Sequence, residues 1–425
     1  MKFSLINKKN FNLQIIGFAL ISFLPFTLLI GSAVINSVII LIDIFFIIEL
    51  IKNQNIKYLN NKLFYIFMLF WSSLLINTLF SDSFESSLAR AVGFLRFIFL
   101  VFAIKYYFSF SDYFYKDKIF RIWFILLLLV SVDLIFESIF GFNILGYSND
   151  LTGRLSGFLN QELKIGHFYF GFILISLSFI HYEYKNIFLL YLFISIFLTI
   201  SFLIGERSNF IKTFIVLFLF VLFMDRDFIL RKIFFIFTLI GLITSIVFFN
   251  DTYKERFYTM LITPIMADVM RDGEKLKFSN ALKTNQYGAH YDTAIKVFKN
   301  NVFFGTGLKN FRNESSKKEY INKEFAYNHL RQTTHPHQLH FELLSETGLF
   351  GYFSFFIFFI YFLKVSIKQQ ILNRNLYHLS GILFIFATFL PLLPSGSFFT
   401  TFGATIFWIN FSIIESFNKN YKIKS

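Results

Sequence analysis

The 425-residue chain contains no cysteine. That absence excludes disulfides, thiolate metal sites and a cysteine nucleophile. Charge is scarce as well: 16% of the residues are Asp, Glu, Lys or Arg, against about a quarter in ordinary soluble chains. Neither a Walker phosphate loop nor a Rossmann glycine fingerprint occurs, which argues against direct use of a nucleotide. There is no internal repeat, and no low-complexity segment beyond an apolar bias. What fills the space is hydrophobic: 56% of the chain, against about 45–50% in globular proteins. The 68 Phe come with abundant Ile, Asn and Lys, the signature of an AT-rich genome. Phe is therefore read as a generic apolar residue and not as an aromatic binding box.

Apolar runs long enough to cross a bilayer as helices fall near 12–31, 33–51, 63–80, 88–108, 119–140, 165–181, 187–204, 208–224, 229–249, 340–363, 376–392 and 398–416. The fold class expected is all-α integral membrane, with about twelve transmembrane helices. A net charge of +14 points first to nucleic acid, but loop position explains it better. With the N-terminus inside, Lys52, Lys57, Lys105, Lys116, Arg121, Lys185, Arg226, Arg231, Lys364 and Arg374 fall on inner loops, joined by Lys419, Lys422 and Lys424 of the tail. The short outer loops hold little beyond Arg154, Lys164 and Arg207. The positive-inside rule thus puts both termini in the cytoplasm of a multi-pass inner-membrane protein and leaves no nucleic-acid partner.

One loop is unlike the rest, so the chain divides into 1–249 (nine helices), 250–339 (a long outer loop) and 340–425 (three helices and a short tail). The loop carries 14 Lys and Arg against 9 Asp and Glu, tolerated because long loops escape the orientation rule. Its stretch 290–298 has the three-and-four apolar spacing of a helix.

The densest polar cluster is Thr334-His335-Pro336-His337-Gln338-Leu339-His340, and five of the eight histidines lie between 290 and 340. Histidine titrates near neutrality and can take a proton from a hydroxyl; an interfacial helix cap is the plainer alternative. His337 and His340, three apart, would share a helical face and could serve a metal, but no carboxylate completes a set. Arg207 lies in the short turn Gly205-Glu206-Arg207-Ser208, where a guanidinium can fork onto a phosphate or pair with Glu206. Arg90 and Arg96 lie within the fourth helix, with Asp133 and Glu137 as candidate partners for Arg96. Gly153-Arg154-Leu155-Ser156-Gly157, followed by Glu162, suits close backbone approach to a ligand. Gly305-Thr306-Gly307 has the composition of a phosphate nest.

His337-Gln338, a nine-residue gap and Gly348-Leu349-Phe350-Gly351 resemble the signature of bacterial O-antigen ligases. Gly205-Glu206-Arg207, Arg154 through Gly157 with Glu162, and Phe304 through Phe311 are similar to stretches of the wider ligase and polymerase family. The resemblance implies a GT-C-like helical glycosyltransferase with one large helical periplasmic loop, using an undecaprenyl-diphosphate-linked glycan and neither cofactor nor metal. It makes His337 the general base and Arg207 a contact to the donor diphosphate, with Arg154, Glu162, Gln338, Gly348 and Gly351 around the substrate. A second family arginine belongs in the long loop; His290 stands in its place, so Arg256 or His290 fills the role. A ligase joining the glycan to a lipid A–core acceptor and a polymerase extending a growing glycan on the same carrier are not separated by these motifs. A glycan flippase or transporter is the alternative from another class.

Overall fold

A computed structural model of the chain describes residues 8–110, 113–148, 153–160, 162–224, 229–262 and 282–418. Arg226 and the three tail lysines, which entered the reading of the sequence, lie outside the described residues, as does the middle of the long polar segment at 263–281. Among the described residues there is no strand. The helices are α1 (Lys8–Ile30), α2 (Ser32–Lys52), α3 (Lys62–Thr78), α4 (Phe84–Phe110), α5 (Tyr113–Phe140), α6 (Ile165–Tyr184), α7 (Ile187–Leu203), α8 (Arg207–Met224), α9 (Ile229–Phe249), α10 (Gln286–Asn300), α11 (Leu339–Asn373), α12 (Leu376–Thr388) and α13 (Thr401–Ser416), with a π-helical turn at Lys254–Ile262. Each of the twelve expected apolar spans has its helix, and α10 is the helix expected at 290–298. Among the described residues eight helices are long and apolar enough to cross a membrane, and α3, α7 and α12 are shorter apolar ones. The protein is an all-α integral membrane protein.

Asparagine, plentiful in this chain, starts the helices. The side chains of Asn61, Asn186, Asn285 and Asn375 each accept a hydrogen bond from a backbone N–H in the first turn of α3, α7, α10 and α12, satisfying donors that no intrahelical carbonyl can reach. The bundle closes around α6 and α13, whose residues are buried along most of their length. Asn410 of α13 donates to the Gly171 carbonyl of α6 at 3.0 Å. The α4–α13 contact includes a buried ion pair, Lys105 Nζ to Glu415 at 2.7 Å. α9 is the least enclosed helix of the bundle.

The last three helices have ends that differ from those read in the sequence, and one expected pairing is not made. α12 stops at Thr388 and α13 starts at Thr401, because Pro391, Pro394 and Gly396 interrupt what looked like nearly continuous apolar sequence. α11 runs 35 residues to Asn373, about 52 Å at the helical rise, and breaks at Gly348. Arg96 does not meet Asp133 or Glu137. Its guanidinium reaches the Gly93 carbonyl and Thr401 Oγ1, while Asp133 accepts from the Ile144 N–H at 2.9 Å and Glu137 accepts from the N–H groups of Ser156 and Gly157 at 3.0 and 2.7 Å.

Candidate active site

The Glu137 bonds have a consequence for arginine placement. They pin the 153–160 segment against α5, and Leu155 N donates to the Ile204 carbonyl at 3.1 Å, so Arg154 is held beside the α7–α8 turn. Two glycines make that approach possible. Gly205 sits at φ +73, and a Cβ there would come 2.0 Å from the Gly153 carbonyl oxygen. A Cβ on Gly153, at φ +73, would strike Arg256 Cδ at 2.6 Å. Gly205 thus allows the two backbones to approach, and Gly153 leaves room for the side chains of Arg256 and Thr252.

The result is a three-arginine cluster. Arg256, on the π-helical turn after α9, donates through Nη2 to the Gly205 carbonyl at 2.8 Å. Arg207, the first residue of α8, points Nη1 at the Arg256 carbonyl at 3.5 Å, long for a hydrogen bond. Arg154 donates to the Leu163 carbonyl at 3.2 Å and lies 4.0 Å from Glu206. Burial holds the Arg256 guanidinium below its usual pKa, and the charges of Arg154 and Arg207 push it further the same way. Burial raises the Glu206 carboxyl, with Arg154 opposing. Glu162 is exposed and pairs with Lys164 at 2.8 Å.

The second half of the site is a stack of imidazoles. The His335 and His337 ring centroids are 4.1 Å apart, and those of His290 and His337 5.1 Å apart. His290, on α10, is 4% exposed. Burial, then the charge His337 would carry, lower His335 to about 3 and His290 to about 4; burial lowers His337. All three rings are therefore neutral near pH 7, as a proton acceptor must be. Backbone hydrogen bonds to Ser395 and Arg331 act the other way on His335 and His290, favouring their charged forms, but are outweighed by burial. His337 itself is in the left-handed region, at φ +56, a conformation that costs a non-glycine residue about 1 kcal/mol or more. Its carbonyl accepts a 2.7 Å hydrogen bond from Ser395 N.

One peptide group joins the halves. The Pro394 carbonyl accepts from Ser208 Oγ and, at 2.9 Å, from Lys212 Nζ, both on the helix that Arg207 opens. The N–H of that same peptide, on Ser395, is the donor to His337.

Several residues read as substrate contacts also hold the scaffold. The Gln338 side-chain oxygen accepts from Phe341 N at 3.0 Å and caps α11. His337 precedes that helix, so it shares no helical face with His340. The latter donates Nε2–H to the Phe389 carbonyl at 3.0 Å and accepts from the Tyr352 hydroxyl at 3.2 Å, the only donor assignment a carbonyl allows. Gly348 takes φ +63 inside α11. There the helix opens, and residues 302–307 bond along it: Leu349 N to the Val302 carbonyl, Thr306 N to the Ser345 carbonyl, Gly307 N to the Glu346 carbonyl, at 2.8 to 3.0 Å. The amides of Gly305-Thr306-Gly307 are thereby spent on the protein, not on a phosphate. Gly351 leaves room for Thr347, whose Cβ an added methyl would meet at 2.4 Å. A Cβ on Gly348 would lie 2.5 Å from backbone atoms of Phe303 and Gly305. Gly348→Ala is therefore expected to destabilise by about 2 kcal/mol or more, read as a lower melting temperature in detergent; an unchanged melt would mean that the opened helix adapts.

Sequence reasoning named His337, His290, Arg154, Arg207 and Arg256, and the structure gathers them into these two groups. It missed His335 as the nearest ring to His337, and Ser208, Lys212 and Ser395 as the link. The one signal was the Pro- and Gly-bearing stretch before the last helix. A search among curated proteins returns no match. A family model described as O-antigen ligase matches residues 187–356, the part of the chain from α7 into α11 that carries Arg207, Arg256, His290, His335 and His337. This match supports, for that part of the chain, the resemblance to the O-antigen ligase and polymerase family.

Proposed function

We propose that the protein is a glycosyltransferase of the O-antigen ligase type, moving a glycan from undecaprenyl diphosphate to a hydroxyl of a lipid A–core acceptor at the periplasmic face of the inner membrane. The observation that carries this reading is the single peptide, Pro394–Ser395, that ties the backbone of His337, in the imidazole stack, to α8, the helix that Arg207 opens. His337 takes the proton of the acceptor hydroxyl. The acceptor oxygen bonds to the anomeric carbon as the bond from that carbon to the diphosphate breaks. The electron pair leaves on the diphosphate oxygen, where Arg207, Arg256 and Arg154 offset the growing negative charge. In-line attack inverts the anomeric centre. The leaving group is already activated, so neither nucleotide, cofactor nor metal enters the step. The family description favours a ligase over a polymerase. Glycan gels of a deletion strain test it: full-length chains stranded on the lipid carrier support the ligase, whereas single repeats attached to core would make the protein the polymerase.

A further inference from the structure

The segment between α12 and α13, residues 389–400, is tied to almost every element that supplies the site. Its Phe389 carbonyl accepts from His340, and its Leu392 carbonyl accepts from the Tyr291 hydroxyl at 3.2 Å, next to His290 on α10. The Pro394 carbonyl accepts from Ser208 and Lys212 of α8. Ser397 Oγ and Phe398 N donate to the two oxygens of Glu342 on α11, and the Phe399 carbonyl accepts from Arg90 of α4 at 2.7 Å. Lys212 is 3% exposed, so its ammonium is held inside the protein and set on this carbonyl.

We propose that residues 389–400 are a keystone that fixes the orientation of His337, and that Lys212 and Ser208 are positioning residues acting through it. The inference rests on the glycosyltransferase reading for its kinetic consequence but not for its geometry. His337 occupies a left-handed conformation, at φ +56, which is strained for an L-residue and so needs support from its surroundings. The 2.7 Å bond from Ser395 N is what anchors its carbonyl, and Ser395 stays in place because the other end of the same peptide is gripped by two donors. Loss of both donors frees the peptide to rotate and lets the His337 ring leave its place against His335 and His290. Arg207 neighbours Ser208, so the grip also sets the distance between the base and the cluster that meets the leaving group. Misplacing a catalytic group by a small displacement lowers turnover without touching the affinity for donor.

The test compares the wild type, the doubly substituted Ser208→Ala/Lys212→Met, the milder Ser208→Ala, the hydroxyl-keeping Ser208→Thr and His337→Ala. Each is purified in detergent and given lipid-linked glycan. The doubly substituted protein should lose about tenfold in kcat with the donor KM unchanged, Ser208→Ala should lose less, and Ser208→Thr should stay at wild type. Carbethoxylation by diethylpyrocarbonate, followed peptide by peptide, gives a readout without turnover. His337 should react about threefold or more faster in the double variant as its surroundings open, while exposed His329 keeps its rate. Unchanged kcat and unchanged His337 reactivity overturn the keystone. A parallel loss in kcat and donor affinity with His337 reactivity unchanged overturns it too, since that is general loosening of the fold. If His337→Ala keeps full activity, the catalytic reading fails, and the carbethoxylation rates alone then decide whether the segment positions His337.

Discussion

His337→Ala is expected to lower turnover by about 100-fold or more while the protein still binds its lipid-linked donor. The ring meets neighbours that keep it neutral rather than a carboxylate that would charge it. His335 lies at 4.1 Å and His290 at 5.1 Å between ring centroids, and burial lowers all three. A neutral imidazole can accept a proton at once, and the desolvated imidazolium gives it up readily between turnovers. The sign of the pH dependence follows. A lowered pKa keeps the base form populated below the ordinary histidine value of about 6.5, so the acid limb of kcat/KM should fall at lower pH than for a solvent-exposed histidine. Stability moves in the same sense. His290 and His335 bind protons in the unfolded chain near pH 6.5 but in the folded one only near 4 and 3. Folding is therefore favoured above about pH 6.5 and weakened as pH falls through that window. Full surface glycan from a His337→Ala strain with normal membrane abundance would reduce His337 to a structural residue.

Much of this architecture is readable in the sequence because a bilayer permits few solutions. Runs such as 187–204 and 229–249 have no other stable fate than α7 and α9. The His337 and Arg207 positions are legible for the same reason: polar groups beside long apolar runs are costly and stand out. Glycine is where the reading goes astray. Gly153, Gly205, Gly305 and Gly348 look like room made for a ligand. The room at Gly205, Gly305 and Gly348 is taken by other parts of the backbone, 2.0 Å from an added Cβ at Gly205, and that at Gly153 by the side chains of Arg256 and Thr252; only the tertiary structure reveals what occupies it. The same holds for Asp133 and Glu137. Composition suggests ion-pair partners for Arg96, whereas their acceptors answer to backbone N–H groups of a loop, which carry no side-chain signature. The role of 389–400 is hidden because it is exercised largely through carbonyls.

Arg207→Ala separates a binding cluster from a structural one. A structural arginine is repaid by partners within the protein, so its removal destabilises. Among the described residues Arg207 makes one long contact, 3.5 Å to the Arg256 carbonyl, and repels that half-buried neighbour, whose guanidinium its charge depresses. Its truncation should leave the melting temperature of the ligand-free protein unchanged or slightly raised, as when function is kept at a cost in stability. Donor affinity and turnover should both fall. A lost charge-assisted hydrogen bond is worth about 1.5–3 kcal/mol, roughly 10- to 150-fold, and the loss in kcat/KM should exceed the loss in affinity because the leaving group gains charge in the transition state. Arg207→Lys should recover only part of this, since an ammonium keeps the charge but not the two parallel N–H donors. The same contrast is measurable without turnover. A short prenyl diphosphate should raise the melting temperature of the wild type and do so much less for Arg207→Ala. A variant that melts lower yet responds to the prenyl diphosphate as the wild type does would assign Arg207 to the scaffold and leave Arg154 and Arg256 to hold the leaving group.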